Sequence, residues 1–148
     1  RNLIALGEKD IVLLRTRKGT LPDDELAGYP VETDMREALK KHNPQAVIVA
    51  NPTSLHLQTA LPAAEAGCHI LLEKPISDST KGLIQLEAAV KKNGSKVLVA
   101  FQFRFHPGLM RAKQLISSGE IGRVISAHVH FGEYLPAWHP SADRPTPG

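Results

Sequence analysis

The sequence predicts an α/β fold with a doubly wound parallel sheet. Four apolar runs, at residues 11–14, 46–50, 70–72 and 96–100, alternate with three segments whose apolar residues recur at helical spacing. Each run is continuous rather than alternating, which is typical of a strand that is buried on both faces. Polar residues follow every run, and in such sheets ligands bind at the carboxyl ends of the strands. We therefore expect the four polar breaks to share one site.

The first part of the chain contains one helix end, one strand and one loop. Residues 1–6 have the pattern of the last turns of a helix that Gly7 ends, since glycine readily adopts the left-handed conformation found there. The strand at 11–14 gives way abruptly to the basic and polar residues 15–19. Residues 20–33 contain Pro22, Gly28 and Pro30, so a loop is predicted.

Three helices are predicted, one between each pair of successive strands. Their expected caps are, in chain order, Asp34, then Thr53 or Ser54, then the segment 77–80, and their expected ends are Asn43, Gly67 and Asn93. The strand at 70–72 leads directly into Glu73, Lys74 and Pro75. We expect a cis peptide bond before Pro75, because cis bonds occur almost only before proline, typically in tight turns.

The pattern changes after Pro107. A helix is predicted over 109–116, and residues 124–131 alternate between apolar and polar, which suits a strand with one buried and one solvated face. We predict a first domain at residues 1–104 and the beginning of a second, α+β domain at 105–148.

Composition excludes several classes of protein. The chain has 148 residues, 42% hydrophobic and 22% charged, with a formal charge of +3. Its basic residues are scattered apart from Arg15, Arg17 and Lys18, so a nucleic-acid partner is not predicted. No apolar run reaches the roughly 20 residues of a membrane helix. Cys68 is the single cysteine, which excludes an internal disulfide and predicts a reducing, cytoplasmic location.

Three motifs carry a family resemblance. They are Asn51-Pro52-Thr53-Ser54-Leu55-His56, then residues 67–75 ending in Glu73-Lys74-Pro75, then Phe101-Gln102-Phe103-Arg104-Phe105-His106-Pro107. In this order and spacing they resemble the Gfo/Idh/MocA family of NAD(P)-dependent sugar oxidoreductases, over roughly residues 1–135. The resemblance implies a Rossmann domain, then a domain with an open, mainly antiparallel sheet through which the protein forms a homo-oligomer. It also implies hydride transfer between NAD or NADP and a carbon of a sugar, sugar derivative or cyclitol.

The resemblance assigns roles to individual residues. Lys74 is the predicted catalytic residue, because a cation beside the substrate oxygen stabilises the alkoxide character that develops as hydride leaves. The residues predicted to line the cofactor are Arg15, Thr16, Arg17, Ala50, Asn51, Pro52, His56, Glu73, Lys74, Pro75 and Gln102. Arg104 and Trp138, with Lys74, are the predicted substrate contacts, although Trp138 can equally pack on the sheet or on another subunit.

The sequence departs from the family pattern at both ends. The family's first strand and GxGxxG turn would precede Arg1, and its catalytic Asp and His pair would follow Gly148. We therefore expect residues 1–148 alone to be inactive and to bind dinucleotide poorly. We also expect the sheet to be interrupted at its centre, where the first strand belongs.

Several residues leave alternatives open. Arg15, Thr16 and Arg17 stand where such a fold selects its cofactor, and arginine there favours the 2′-phosphate of NADP, the alternative being a solvated basic loop. His56 either contacts the cofactor or caps a helix. His128 and His130 share one face of a predicted strand, but we predict no metal site, because the family uses nicotinamide for its redox chemistry. Cys68 is expected to be a buried, inert thiol.

A second class of function also fits the sequence. The chain could belong to a dinucleotide-binding or regulatory module that keeps the fold without turnover. An Asp followed four positions later by a His, beyond residue 148, would favour the enzyme.

Overall fold

A computed structural model describes residues 2–15 and 26–134 of the chain. The chain divides into two compact units, residues 1–102 and 103–148. The described elements are, in order, α1 (Asn2–Ala5), β1 (Leu13–Leu14), β2 (Val31–Glu32), α2 (Met35–His42), β3 (Ala46–Val49), α3 (His56–Glu65), β4 (His69–Glu73), α4 (Leu83–Asn93), β5 (Val97–Ala100) and α5 (Pro107–Ser117). None of the helices described combines the length and the apolar character needed to span a membrane.

The described strands of the first unit form two parallel sheets. β3, β4 and β5 lie side by side in that order, with Val49 beside Leu72 and Leu72 beside Val99. β1 and β2 form a separate parallel pair, in which Leu13 lies beside Val31. The predicted loop at residues 20–33 is therefore wrong at Val31 and Glu32, which pair with β1. The predicted parallel α/β fold is confirmed, and the described strands show the interruption that the sequence analysis expects.

Only one face of the three-stranded sheet is covered within the described residues. Its core contains Val49, Ile70 and Leu72, packed against small residues of α3 and against Leu86 and Ala89 of α4. On the opposite face Ile48, Leu71 and Leu98 lie in one row and are 49%, 36% and 48% exposed. The prediction of strands buried on both faces is therefore wrong here, because α3 and α4 pack on the same face.

Local signals explain some helix ends and not others. Gly7, with φ +93°, ends α1, and Asp34 Oδ1 accepts a hydrogen bond of 2.8 Å from the Glu37 amide at the start of α2, both as predicted. Neither predicted cap of the next two helices is formed. Thr53 and Ser54 lie inside a 3-10 turn, Thr53–Leu55, that leads into α3. The Ser77 hydroxyl bonds Asp78 and Ser79 within its own loop, and α4 follows Gly82 without a side-chain cap.

In the second unit α5 is formed and the predicted strand is not. Pro107 occupies the first turn of α5, where its missing N–H costs nothing. Phe103 packs edge to face on Phe131, with ring centroids 5.2 Å apart. Residues 124–131 form no paired strand, so that prediction is wrong for the described structure. A strand needs a neighbour whose backbone pairs with its N–H and C=O groups, and the described residues supply none. An alternating sequence pattern alone does not provide that neighbour.

Candidate active site

The polar residues that follow β3, β4 and β5 lie at one edge of the sheet. Because the three strands are parallel and adjacent, Asn51, Lys74 and Gln102 leave it in the same direction. Arg15 follows β1 in the separate two-stranded sheet, where its amide donates to the Glu32 carbonyl at 2.9 Å. Three of the four predicted polar breaks are thus brought to one edge.

A cavity of about 340 Å³ opens beside Lys74 at this edge. Its walls are formed by Lys74, Pro75, Ile76, Val99 and Phe101. The Lys74–Pro75 peptide bond is cis, as predicted. Lys74 is exposed, and the residues that line the cavity present apolar surface to it. This arrangement suits a ligand with both an apolar surface and an oxygen that needs a cation.

The sequence analysis missed three residues of this cavity, namely Ile76, Val99 and Phe101. Val99 and Phe101 stand at the end of an apolar strand, where the pattern reads as core. The signal that could have found them is position, because residues at the carboxyl end of a parallel strand face the ligand edge. Phe101 is 58% exposed, which is unusual for a large apolar side chain that only fills a core.

Asn51 presents a hydrogen-bond acceptor that has no partner among the described residues. Its Nδ2 donates to Thr59 Oγ1 at 2.8 Å, and Thr59 Oγ1 donates to the Leu55 carbonyl at 3.2 Å. Since the threonine proton is used on Leu55, Thr59 must accept from Asn51, which fixes the orientation of the amide. Asn51 Oδ1 is then left buried and unpaired. A ligand hydroxyl or N–H group would satisfy it.

The other predicted cofactor residues beside these loops are accessible. Ala50 and Pro52, on either side of Asn51, are exposed, and so are Glu73 and Pro75. The Glu73 carboxylate accepts a hydrogen bond of 3.2 Å from the backbone amide of Lys74. That bond orders the turn in which the lysine stands.

His56 occupies the first position of α3 and is 1% exposed. Its Nδ1 lies 2.9 Å from the Pro75 carbonyl oxygen, and its Nε2 lies 3.0 Å from the Asn51 carbonyl oxygen. The helix-capping alternative is wrong, because α3 has no side-chain cap at its start. The contact with cofactor stays a prediction.

The remaining predicted site residues lie in the second unit or outside the described residues. Thr16, Arg17 and Trp138 lie outside the described residues. Arg104 belongs to the second unit, where it is exposed in the 3-10 turn Gln102–Phe105. His128 and His130 are exposed, and no group of three His, Cys, Asp or Glu residues within 2–15 and 26–134 is arranged to hold a metal ion.

Three titratable groups away from the cavity have shifted pKa values. One is Glu87, whose pKa is lowered chiefly by its hydrogen bond of 2.6 Å to Lys91. The pKa of Glu32 is lowered chiefly by its hydrogen bond to His42 and also by that to Lys41, at 2.7 and 2.8 Å from the same carboxylate oxygen. Burial raises the pKa of the Cys68 thiol, which donates to the Pro44 carbonyl at 3.1 Å. The expected buried, inert thiol is confirmed as buried, and the raised pKa disfavours the reactive thiolate.

Parallel strands joined by helices, with an apolar cavity and an unpaired acceptor at the carboxyl edge, define a nucleotide-binding α/β protein of the Rossmann type. The unpaired Asn51 Oδ1 and the exposed loops fit a dinucleotide, which is rich in hydroxyl donors. The chain belongs to the Gfo/Idh/MocA oxidoreductase family, since residues 13–101 match the family model described as "Oxidoreductase family, NAD-binding Rossmann fold".

Individual relatives agree with this assignment. The chain is 36% identical over 115 residues to levoglucosan dehydrogenase of Pseudarthrobacter phenanthrenivorans, covering 78% of this chain and 28% of that protein. It is 35% identical over 114 residues to D-xylose 1-dehydrogenase (NADP(+)) 2 of Haloferax volcanii, covering 76% of this chain and 34% of that protein.

A solved structure shows the same fold with a cofactor. The scyllo-inositol dehydrogenase of Lactobacillus casei, determined with bound NAD(H) and scyllo-inositol, has a TM-score of 0.60 and 29% identity, over 68% of this chain and 30% of that chain. This chain thus spans about a third of the length of the proteins that it resembles.

Proposed function

We propose that the protein is an NAD(P)-dependent dehydrogenase that oxidises a CH–OH group of a sugar, sugar derivative or cyclitol, or reduces the corresponding carbonyl. The observation that carries the proposal is the cavity beside Lys74, at the carboxyl ends of β4 and β5. Dehydrogenases of levoglucosan, D-xylose and scyllo-inositol among its relatives support this substrate class. We also propose that it acts as a cytoplasmic homo-oligomer.

Lys74 is the proposed catalytic residue. Lys74 lies beside the cavity and is exposed, so its ammonium can reach a substrate oxygen there and donate a hydrogen bond to it. When a base removes the hydroxyl proton, that oxygen takes on alkoxide character and the carbon can lose hydride, and a fixed cation stabilises the negative charge on the oxygen. The neighbouring side chains of Ile76, Val99 and Phe101 are apolar and offer a surface for the non-polar face of a ligand.

Asn51 and its neighbours are the proposed cofactor contacts. The bound nicotinamide supplies the hydride acceptor or donor. Asn51 Oδ1 accepts a hydrogen bond from the dinucleotide, and the exposed backbone of Ala50 and Pro52 lets it approach closely. Glu73 orders the Lys74 amide, and Pro75 and Gln102 complete the edge.

Replacing Lys74 by alanine tests the catalytic assignment. In the full-length protein we expect Lys74→Ala to lower kcat by about 10²–10³-fold, as removal of one transition-state donor does. The assay is NAD(P)H absorbance with a panel of sugars, anhydrosugars and cyclitols. The matched control is Lys81→Ala, which removes an exposed lysine from the loop that follows the site. Equal turnover of Lys74→Ala and wild type would contradict the proposal.

We further propose a preference for NADP. Arg15 follows β1 directly, and a further arginine and a lysine come after it in sequence at 17 and 18, which suits a 2′-phosphate. The NADP-dependent xylose dehydrogenase among the relatives supports this preference, whereas the NAD(H)-bound inositol dehydrogenase supports NAD. Titration with each cofactor measures the two Kd values, and tighter binding of NAD would contradict the preference.

A further inference from the structure

His56 is one of two buried polar or charged residues among those described, the other being Ser95. Its ring lies between two loops of the candidate site. The chain segments that it contacts follow β3 and β4, and they are 5 and 19 residues away in sequence. The ring is therefore a physical link between the asparagine loop and the lysine loop.

Both partners of the ring are main-chain carbonyl oxygens, which can only accept hydrogen bonds. A neutral imidazole carries one N–H and donates to either Pro75 or Asn51, while a ring with both protons donates to both. In every protonation state the ring thus bonds at least one of the two loops. With 1% of its surface exposed, it has no open side on which to meet a substrate.

We propose that His56 is a positioning residue, which ties the end of β3 to the end of β4 and thereby sets where Lys74 and Asn51 stand relative to each other. Lys74 is joined to Pro75 by a peptide bond, so fixing the Pro75 carbonyl fixes the origin of the lysine side chain. The Asn51 carbonyl fixes the residue whose amide Thr59 orients. This inference rests on the proposed function for the roles of Lys74 and Asn51.

The physical effect follows from the precision that catalysis demands. A displacement of about 1 Å between reacting groups costs on the order of 10²-fold in rate. Without the imidazole, two carbonyl groups lose their shared partner and the two loops lose their bridge. We expect kcat to fall by about 10- to 100-fold in His56→Ala, with a smaller change in substrate KM, because an exposed lysine still reaches the ligand from a shifted origin.

Two conservative variants separate the two bonds. The amide nitrogen of asparagine can take the place of Nδ1, so His56→Asn retains a donor for the Pro75 carbonyl. The amide nitrogen of glutamine can take the place of Nε2, so His56→Gln retains a donor for the Asn51 carbonyl. Gln58→Ala is the matched control, since it removes an exposed side chain two positions along α3.

The first test compares the steady-state kinetics of these variants with those of the wild type, all in the full-length protein. Recovery of at least part of kcat in His56→Asn or His56→Gln, relative to His56→Ala, supports the positioning role. The variant that recovers more shows which carbonyl matters more. Wild-type kcat in folded His56→Ala would overturn the proposal. The proposal would also be overturned if, in all three variants, the loss of activity equals the loss of folded protein measured by circular dichroism.

Backbone amide spectra give a second test, independent of turnover. In ¹⁵N-labelled protein we expect His56→Ala, which removes both bonds, to shift the Lys74 and Asn51 amide resonances, and Gln58→Ala to leave both in place. If these resonances shift but no sugar or cyclitol is oxidised, the proposed function fails while the positioning role stands. If both resonances stay in place in His56→Gln and in His56→Ala, the positioning role fails whatever the activity.

Discussion

Asn93, the last residue of α4, joins the ends of two neighbouring helices. Its Nδ2 donates to the Ala64 carbonyl at 2.9 Å and to the Ala89 carbonyl at 3.1 Å, with the Glu65 carbonyl at 3.4 Å. The last carbonyls of a helix have no partner within it, so the amide of Asn93 supplies one to the end of α3. Replacing this residue by alanine removes both short bonds.

The magnitude follows from two opposing effects. Each hydrogen bond contributes about 0.5–1.5 kcal/mol net, so two bonds amount to about 1–3 kcal/mol. Alanine offsets part of this through its better helix propensity, by up to about 0.7 kcal/mol. We expect Asn93→Ala to lower the free energy of unfolding by about 1–2 kcal/mol. Asn93→Asp keeps the shape without the donors and sets a negative charge against three carbonyls, so it is expected to cost more.

Urea denaturation followed by circular dichroism measures the change from the midpoint and slope of the transition. The matched control is Lys92→Ala, an exposed neighbour on the same helix, expected to change the unfolding free energy by less than about 0.5 kcal/mol. An Asn93→Ala protein as stable as wild type, or an aspartate variant as stable as the asparagine, would refute the reasoning.

Two further predictions concern titratable groups. Native Cys68 is expected to resist alkylation by iodoacetamide, because it is buried and its pKa is raised, and to react in step with unfolding as urea is added; rapid alkylation without urea would contradict its burial. The lowered pKa of Glu32 means that its contribution to stability is complete above its ordinary value of 4.5 and is lost as pH falls through the folded-state value. The stability difference between wild type and Glu32→Gln should therefore shrink below pH 4.5, and a constant difference down to acid unfolding would argue against these bonds.

The strands β3, β4 and β5 and the lysine loop could be predicted because their signals are local, whereas β2 is only two residues long and carries no such signal. A continuous apolar run followed by Glu73-Lys74-Pro75 carries its own information about strand, end and turn. The same holds for Gly7 and for the Asp34 cap, whose partner is three residues away.

The role of His56 and the open sheet face could not be predicted, because their causes are distant. Every residue has a carbonyl oxygen, so nothing in the sequence marks that of Pro75 as the partner of a ring 19 positions earlier. Likewise Leu71 and Leu72 are the same residue type. Only the placement of α3 and α4 decides that Leu72 is fully buried and Leu71 is 36% exposed. The apolar residues Ile76 and Phe101 resemble core residues until the cavity is seen.

The order of β3, β4 and β5 in the sheet determines which part of the protein unfolds as one unit. Neighbours in this sheet are also neighbours along the chain, so each strand pair is closed by a single short crossover. Such local units tend to unfold as one cooperative block, whose amides exchange with solvent only when the whole block opens. Both loops joined by His56 leave strands of this block. The candidate site is therefore anchored in the segment expected to exchange its amide hydrogens most slowly, while the short β1–β2 pair exchanges first.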